Sequence, residues 1–503
     1  MFESIFMGFS EVFKIEAFTG LCLGVLLGLI VGATPGLNDT ITMAVLIPIT
    51  FGMDPQVALL VLVGIYSTAC YGGSIPAILI NIPGTASSIL TSLDGYPMAS
   101  RGEGSLAVGI ATASSVFGGL SSSLVLMFFA PFLAQQALRF GPPEYFSLAV
   151  LGMATVVGLS SKSVLKNIIA GVLALLIATI GVSQQLGIPR FCFGSYYLLD
   201  GIPLVPALIG FFGINAILED SEKLGKIISG PVPVLPKIGK FRELILNKKM
   251  VKRLLPTWIS SATIGNIIGV IPGAGMIMAV YMAYGEAVRR NPKEKFGTGV
   301  PEGIAAPETA DNSVVASSMV PLLSLGVPGN GTSALFIGAL MIQGMRPGPL
   351  LFRDHADIAY LIICGFFVAN LLMGPLGLLL GRSLAAILTK IPRRILNGVI
   401  VGICVTSCYA INNSIEDLWV MLAFGVLCYG LKKFDIPHSP VLLGIILGPM
   451  MENAFMQSMN ISQGSPLIFL DRPLSLILLI LGVILAIVPI FTLRKKKYVA
   501  KVD

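Results

Sequence analysis

Charge is scarce in this chain. Lys, Arg, Asp and Glu together make up 12% of its 503 residues, against about 25% in ordinary soluble domains. Histidine occurs only twice, at His355 and His438. Seven cysteines (Cys22, Cys70, Cys192, Cys364, Cys404, Cys408 and Cys428) contain no Cys-x-x-Cys pair. Cys404 and Cys408 stand one helical turn apart, but no His lies near them. A zinc site of His and Cys ligands is excluded, and the cysteines read as small apolar packing residues. No His-Glu-x-x-His, no Gly-x-Ser-x-Gly and no His beside a candidate Ser is present. The chain therefore lacks the groups of an intramembrane enzyme. We expect no catalytic residues, no cofactor and no metal beyond a transported Na+. Long polar stretches are missing too. The longest, from Glu219 to Arg253, is below the size that folds alone. The first sixteen residues carry Glu3, Glu11, Lys14 and Glu16 rather than the basic segment of a cleavable signal, so the first apolar run is expected to remain as a helix.

Apolar residues are abundant. They make up 55% of the chain, the mean hydropathy is +0.87, and runs of spanning length recur from Phe18 to Phe491. At about 20 residues per pass, the chain holds roughly ten to fourteen transmembrane helices. Continuous runs such as Leu371–Leu380 and Leu474–Pro489 are unlike the short alternating strands of a membrane barrel. The expected class is an all-α polytopic membrane protein. The net charge of +7 is concentrated in a few loops, without the aromatic interleaving of a nucleic-acid surface. Lys248, Lys249, Lys252 and Arg253 end one basic segment, Arg289, Arg290, Lys293 and Lys295 form a second, and Arg494–Lys497 a third. By the positive-inside rule all three, and hence the C-terminus, are cytoplasmic.

Glycine and proline are plentiful, at 56 and 32 residues, and their placement is informative. Four Pro-Gly pairs cut apolar runs: Pro35-Gly36, Pro83-Gly84, Pro272-Gly273 and Pro328-Gly329. Gly32-Ala-Thr-Pro-Gly36 parallels Gly269-Val-Ile-Pro-Gly273. Ile82-Pro-Gly84 parallels Val327-Pro-Gly329, and Asp94-Gly-Tyr-Pro97 parallels Gln343-Gly-Met-Arg-Pro347. A duplicated half accounts for this. The loop beyond Pro272 is basic, whereas its counterpart, Phe51-Gly-Met-Asp-Pro55, has no Lys or Arg. Opposite membrane faces would produce that asymmetry, so the repeat is expected to be inverted. The expected organisation is a first transmembrane repeat over 1–215 and a basic cytoplasmic connector over 216–253. A second repeat with C-terminal helices follows over 254–493, and a basic tail over 494–503.

Proline removes a backbone donor and glycine frees the backbone, so each pair unwinds its helix. Unpaired backbone groups are costly in hydrocarbon and persist only where protein, water or ligand meets them. The new helix starts carry free N–H groups and a positive dipole end that suit carboxylates. Thr85, Ser87 and Ser88 follow the second break, and Asn330, Thr332 and Ser333 the fourth. These are the expected substrate-binding residues. Asn38 and Asp39 follow the first, and Asp311 and Asn312 precede the fourth. With carboxylate and amide oxygens, these four are the expected cation-binding residues, and Glu308 their structural support. Ala274, Gly275 and Met276 leave the Pro272-Gly273 break without polar side chains. Asp94 reads either as a further acid near a break or as a loop cap, and Arg101 and Arg346 either attract an anion or snorkel to the interface. Paired broken helices in two halves indicate a secondary transporter rather than an open pore.

Three stretches resemble one known family. They are Gly32-Ala-Thr-Pro-Gly-Leu37 with Leu46–Gly52, then Tyr71-Gly-Gly-Ser74 through Asn81–Gly84 to Asp94–Met98, and Pro272–Gly275 with Glu302–Glu308, Asp311-Asn312 and Pro347–Phe352. Together they are similar to the large membrane subunit of the tripartite tricarboxylate transporters. The resemblance implies uptake of tri- or dicarboxylates or related organic acids across a bacterial or archaeal cytoplasmic membrane, by Na+ or H+ symport. It also implies a small four-helix membrane subunit and a periplasmic or extracytoplasmic solute-binding protein as partners. A stand-alone permease without a binding protein is the alternative. Asn38-Asp39 departs from the small residues that the family often carries there.

Overall fold

The computed structural model describes residues 2–34, 37–50, 52–159, 164–183, 185–224, 244–388 and 393–499. The Pro35-Gly36 break, half of the basic connector (225–243) and residues 500–503 of the tail lie outside them. Helix dominates; the one sheet among the described residues pairs Gly181–Val182 with Pro189–Arg190, antiparallel. Six helices are long and apolar enough to cross a membrane: Ile15–Gly32, Pro55–Ile80, Ser88–Ala137, Leu204–Glu222, Ala356–Leu380 and Ser439–Ile461. Further apolar helical stretches among the described residues are Leu165–Ala178, Gly331–Ile342, Asn397–Asn412 and Pro473–Ala486. The chain is an all-α, multi-pass membrane protein. Among the described residues the breaks cut some apolar runs into pieces such as Asp39–Leu46 and Gly331–Ile342. Pro301–Ser317 is polar instead, with Glu302, Glu308, Asp311 and Asn312 along it. It is sheltered by protein: nearly every residue is buried, and Gly104–Ala137, Lys248–Val270 and Gly275–Arg290 pack around it.

Small residues allow the inner helices to touch. Ile15–Gly32 runs alongside Pro55–Ile80 in the same direction, Gly24 against Val61, Gly28 against Ile65 and Gly32 against Ala69. A Cβ on Gly24 would lie 2.1 Å from the Val61 carbonyl oxygen, so glycine is required there. Lys248–Val270 runs likewise alongside Pro301–Ser317, with Gly265 against Ala310 and Gly269 against Val314. Close backbone approach of this kind is how membrane helices associate without a hydrophobic driving force.

The segments leading into two of the breaks are built alike. Asn81 ends Pro55–Ile80 in the left-handed conformation, and Gly326 ends Met319–Leu325 in the same way. The next N–H then reaches back to a proline carbonyl, Ile82 to Pro76 and Val327 to Pro321, both at 3.3 Å. Gly84 rests against the Gly32 carbonyl and Gly73; Gly329 rests against the Gly269 carbonyl and Ser318. Pro55–Ile80 and Pro301–Ser317 cross in opposite directions, because Tyr66 meets Ser318 while Ser74 meets Glu308.

Candidate functional site

The described ends of all four breaks arrive at two adjoining cavities of about 440 and 300 Å³. Asn38, Thr40, Gly273, Gly275, Asn330 and Gly331 line both. The larger is completed by Pro83, Phe211, Glu219, Lys432 and His438, the smaller by Asp39, Thr85, Ser87 and Thr332.

Local rules place these side chains. Asn38 caps Asp39–Leu46, its Oδ1 accepting the Ile41 N–H at 2.7 Å. Asp39 therefore falls in the first turn, where an acid is favoured. Asn330 forms a capping box with Ser333: Oδ1 accepts the Ser333 N–H at 2.8 Å, and Ser333 Oγ accepts the Asn330 N–H at 2.9 Å. Thr332, facing away from the box, donates to Asp39 Oδ2 at 2.5 Å and meets the Thr40 hydroxyl at 2.8 Å. After the second break, Ser88 Oγ accepts the Thr85 N–H at 3.2 Å, while Ser87 donates to Asp311 Oδ2 at 2.8 Å. Ser88 and Ser333 thus hold turns and do not face a cavity. Thr85, Ser87, Asn330 and Thr332 do.

The expected substrate hydroxyls and the expected cation carboxylates are bonded to each other. Thr332 joins Asp39 and Ser87 joins Asp311, each across more than two hundred residues of sequence. Asp311 and Asn312 lie one layer behind the cavity wall. Both are buried, and Oδ1 of each has no hydrogen-bond partner. Glu308 lies one turn before Asp311. Its Oε1 accepts from Ser74 and Thr91, both at 2.5 Å, and Oε2 from Ser115 at 2.9 Å.

The other buried acids are held differently. Asp94 accepts three backbone N–H groups, from Gly297, Gly299 and Val300 at 2.8–2.9 Å. Glu302 is gripped by Arg253, Glu144 by Arg472, and Asp417 by Asn412 together with Tyr197. Backbone N–H and Arg groups only donate, and Asn412 donates to Asp417 through its Nδ2. A hydroxyl donates or accepts, so the shell of Glu308 serves a carboxylate or a carboxylic acid equally. Asp94 is therefore a loop cap. Arg101, bound to the Thr298 and Gly299 carbonyls, secures the same loop. Arg346 is exposed, away from both cavities.

The break at Pro272-Gly273 lacks side chains yet is central. Gly273 donates to the Gly329 carbonyl at 2.8 Å, joining the third break to the fourth. Gly273 and Gly275 both have positive φ, 77° and 73°, which lets bare backbone wall both cavities. Sequence reasoning missed Tyr66, which bonds Ser318 and Asn330. It also missed Ser74, Thr91, Ser115 and Lys432. These stand inside uninterrupted helices, where no local signal marks them. Among the described residues no group of three or more His, Cys, Asp or Glu side chains gathers as a metal set.

A buried polar helix, short broken helices and a cavity at their junction define a multi-pass membrane protein of the transporter class. The sequence places it more closely: residues 18–443 match the tripartite tricarboxylate transporter TctA family. The chain belongs to that family. It is 36% identical over its whole length to an uncharacterized 52.8 kDa protein in the TAR-I ttuC' 3' region of Agrobacterium vitis, covering 99% of that protein. A second uncharacterized protein, in the TAR-II ttuC' 3' region of the same organism, is 37% identical over 238 residues, 46% of this chain and 97% of its own. No solved structure matches.

Proposed function

We propose that this chain is the large membrane subunit of a binding-protein-dependent secondary transporter. It imports tri- and dicarboxylates or related organic acids by symport with Na+ or H+. The observation that carries this reading is the meeting of the breaks at one pair of joined cavities. Hydroxyls and the Asp39 carboxylate form the wall of the smaller cavity, and Asp311 lies immediately behind it.

A multiply charged anion moving inward opposes an inside-negative potential by about 2.3 kcal/mol per charge per 100 mV. Cations bound close by offset that cost. Thr85, Ser87, Asn330 and Thr332 are assigned to the substrate carboxylates. Asn38, Asp39, Asp311 and Asn312 are assigned to the coupling cation, and the Ser87–Asp311 and Thr332–Asp39 bonds are the physical link between the two. The like-built break segments and the opposed crossing of Pro55–Ile80 and Pro301–Ser317 support two inverted halves. The membrane is the cytoplasmic membrane of a bacterium or archaeon, with connector and tail inside. A small four-helix subunit and an extracytoplasmic binding protein complete the assembly.

The test is citrate uptake by proteoliposomes holding the complete complex, measured against Na+ concentration and against an imposed pH gradient. Asp39→Asn and Asp311→Asn should each weaken the cation dependence or abolish uptake. Wild-type cation dependence in both variants would make these residues plain caps.

A further inference from the structure

We propose that Lys432 receives a carboxylate of the transported anion in the larger cavity, and that Glu219 is a built-in competitor for it. The proposal rests on the transport reading above and names a recognition group for it.

Lys432 is the one Lys or Arg among the described residues lining either cavity. Around it Asn38, Asn215, Asn330 and Ser439 are neutral, and Glu219 and Asp220 are acidic. An organic anion in this space, whose volume of about 440 Å³ is ample for a small acid, thus meets a single full positive charge. Lys432 sits in the last turn of Ile415–Lys433, where it ion-pairs with Glu219. Its side chain is 53% exposed, and an ion pair that open to solvent is weak. Glu219 has a second partner, since its Oε1 accepts from Asn215 Nδ2 at 3.1 Å. Glu219 therefore keeps a hydrogen bond when the lysine leaves. The ammonium rides on a flexible stem with three rotatable donors, so it can turn from Glu219 to a ligand carboxylate without a backbone change.

Lys433 is the natural comparison. It pairs with Glu222 at 2.6 Å, lies over the Tyr429 ring at 5.2 Å, and is not part of the cavity lining. Glu219 and Asp220 also line the cavity, and their charges oppose an anion. An arriving carboxylate must take Lys432 from Glu219, and Glu219 reclaims it when the anion leaves. The exchange lowers affinity in the larger cavity and so favours release from it.

The experiment titrates the purified full-length chain with citrate and reads its thermal stabilisation, which rises with occupancy. Lys432→Gln should weaken apparent citrate affinity about tenfold or more, the usual consequence of losing a charged hydrogen bond. Glu219→Gln should strengthen it, and Lys433→Gln should leave it within about twofold. For acetate, with one carboxylate to satisfy, the Lys432→Gln loss should be at least as large a share of the binding. Unchanged citrate affinity in Lys432→Gln, or a shift of Glu219→Gln in the same direction as Lys432→Gln, overturns the assignment while transport stands. A wild-type chain stabilised by neither acid overturns the transport reading together with it. If Lys432→Gln does not fold, the rise in affinity in Glu219→Gln decides alone.

Discussion

The second and fourth breaks each carry two kinds of polar residue, and the hydrogen-bond pattern separates them. Ser333 completes a capping box, whereas Thr332 reaches across the cavity to Asp39. Losing a cap costs about 0.5–2 kcal/mol of stability. Losing a hydrogen bond to a charged group costs about 1.5–3 kcal/mol, and here it falls on the ligand-facing network. Thr332→Ala should therefore raise the half-saturating concentrations of citrate and of coupling cation together, by about tenfold or more. Ser333→Ala should lower the unfolding temperature and leave both concentrations near wild type. Wild-type uptake curves for Thr332→Ala would remove it from the site. The sequence made these positions visible because Ser, Thr, Asn and Asp directly after Pro-Gly in an apolar run have few roles. It did not reveal which of them cap and which face the cavity, since that depends on side-chain direction across two distant segments. Glu308 read as a support because its hydroxyl partners Ser74, Thr91 and Ser115 lie on other helices, far away in the chain.

Among the helices, the glycines carry as much information as the breaks. Gly32 faces the Ala69 backbone so closely that a Cβ there would fall 2.2 Å from the Ala69 carbonyl oxygen. A larger residue must push Ile15–Gly32 off Pro55–Ile80, and overpacking of this kind costs about 1–3 kcal/mol. Gly402, exposed on Arg393–Asn412, has open space at its Cβ position. Gly32→Leu should lower the unfolding temperature of the detergent-solubilised protein by several degrees, and Gly402→Leu should not. Equal effects would show that helix propensity rather than close approach sets the stability. Pro-Gly in a long apolar run was enough to locate the three breaks within the described residues. The Pro301–Ser317 helix was harder to read, because four acidic or amide side chains in a row of small residues resemble a surface loop. Burial on all sides by other helices makes it an interior element, and no local pattern announces that.

Across the whole molecule, the direction of each helix follows from a few cross-contacts. Arg253 meets both Glu294 and Glu302, so Lys248–Val270 begins on the face where Gly275–Arg290 ends and Pro301–Ser317 begins. That face carries Arg289, Arg290, Lys293 and Lys295, so by the positive-inside rule it should be the cytoplasmic one. Pro55–Ile80 crosses Pro301–Ser317 in the opposite sense, so it begins on the other face, and the loop at Asp54 should lie outside. Charge asymmetry suggested this inversion, and the opposed crossing is what an inverted pair would show. Six of the seven native cysteines are buried and Cys22 is half-buried, which leaves a quiet background for labelling. A single cysteine at Asp54 should react with an impermeant thiol reagent in intact cells. One at Lys293, the corresponding loop of the second half and equally exposed, should react only after the membrane is opened. Labelling of both from the same side would mean that the halves run parallel, and the inverted arrangement proposed above would fall.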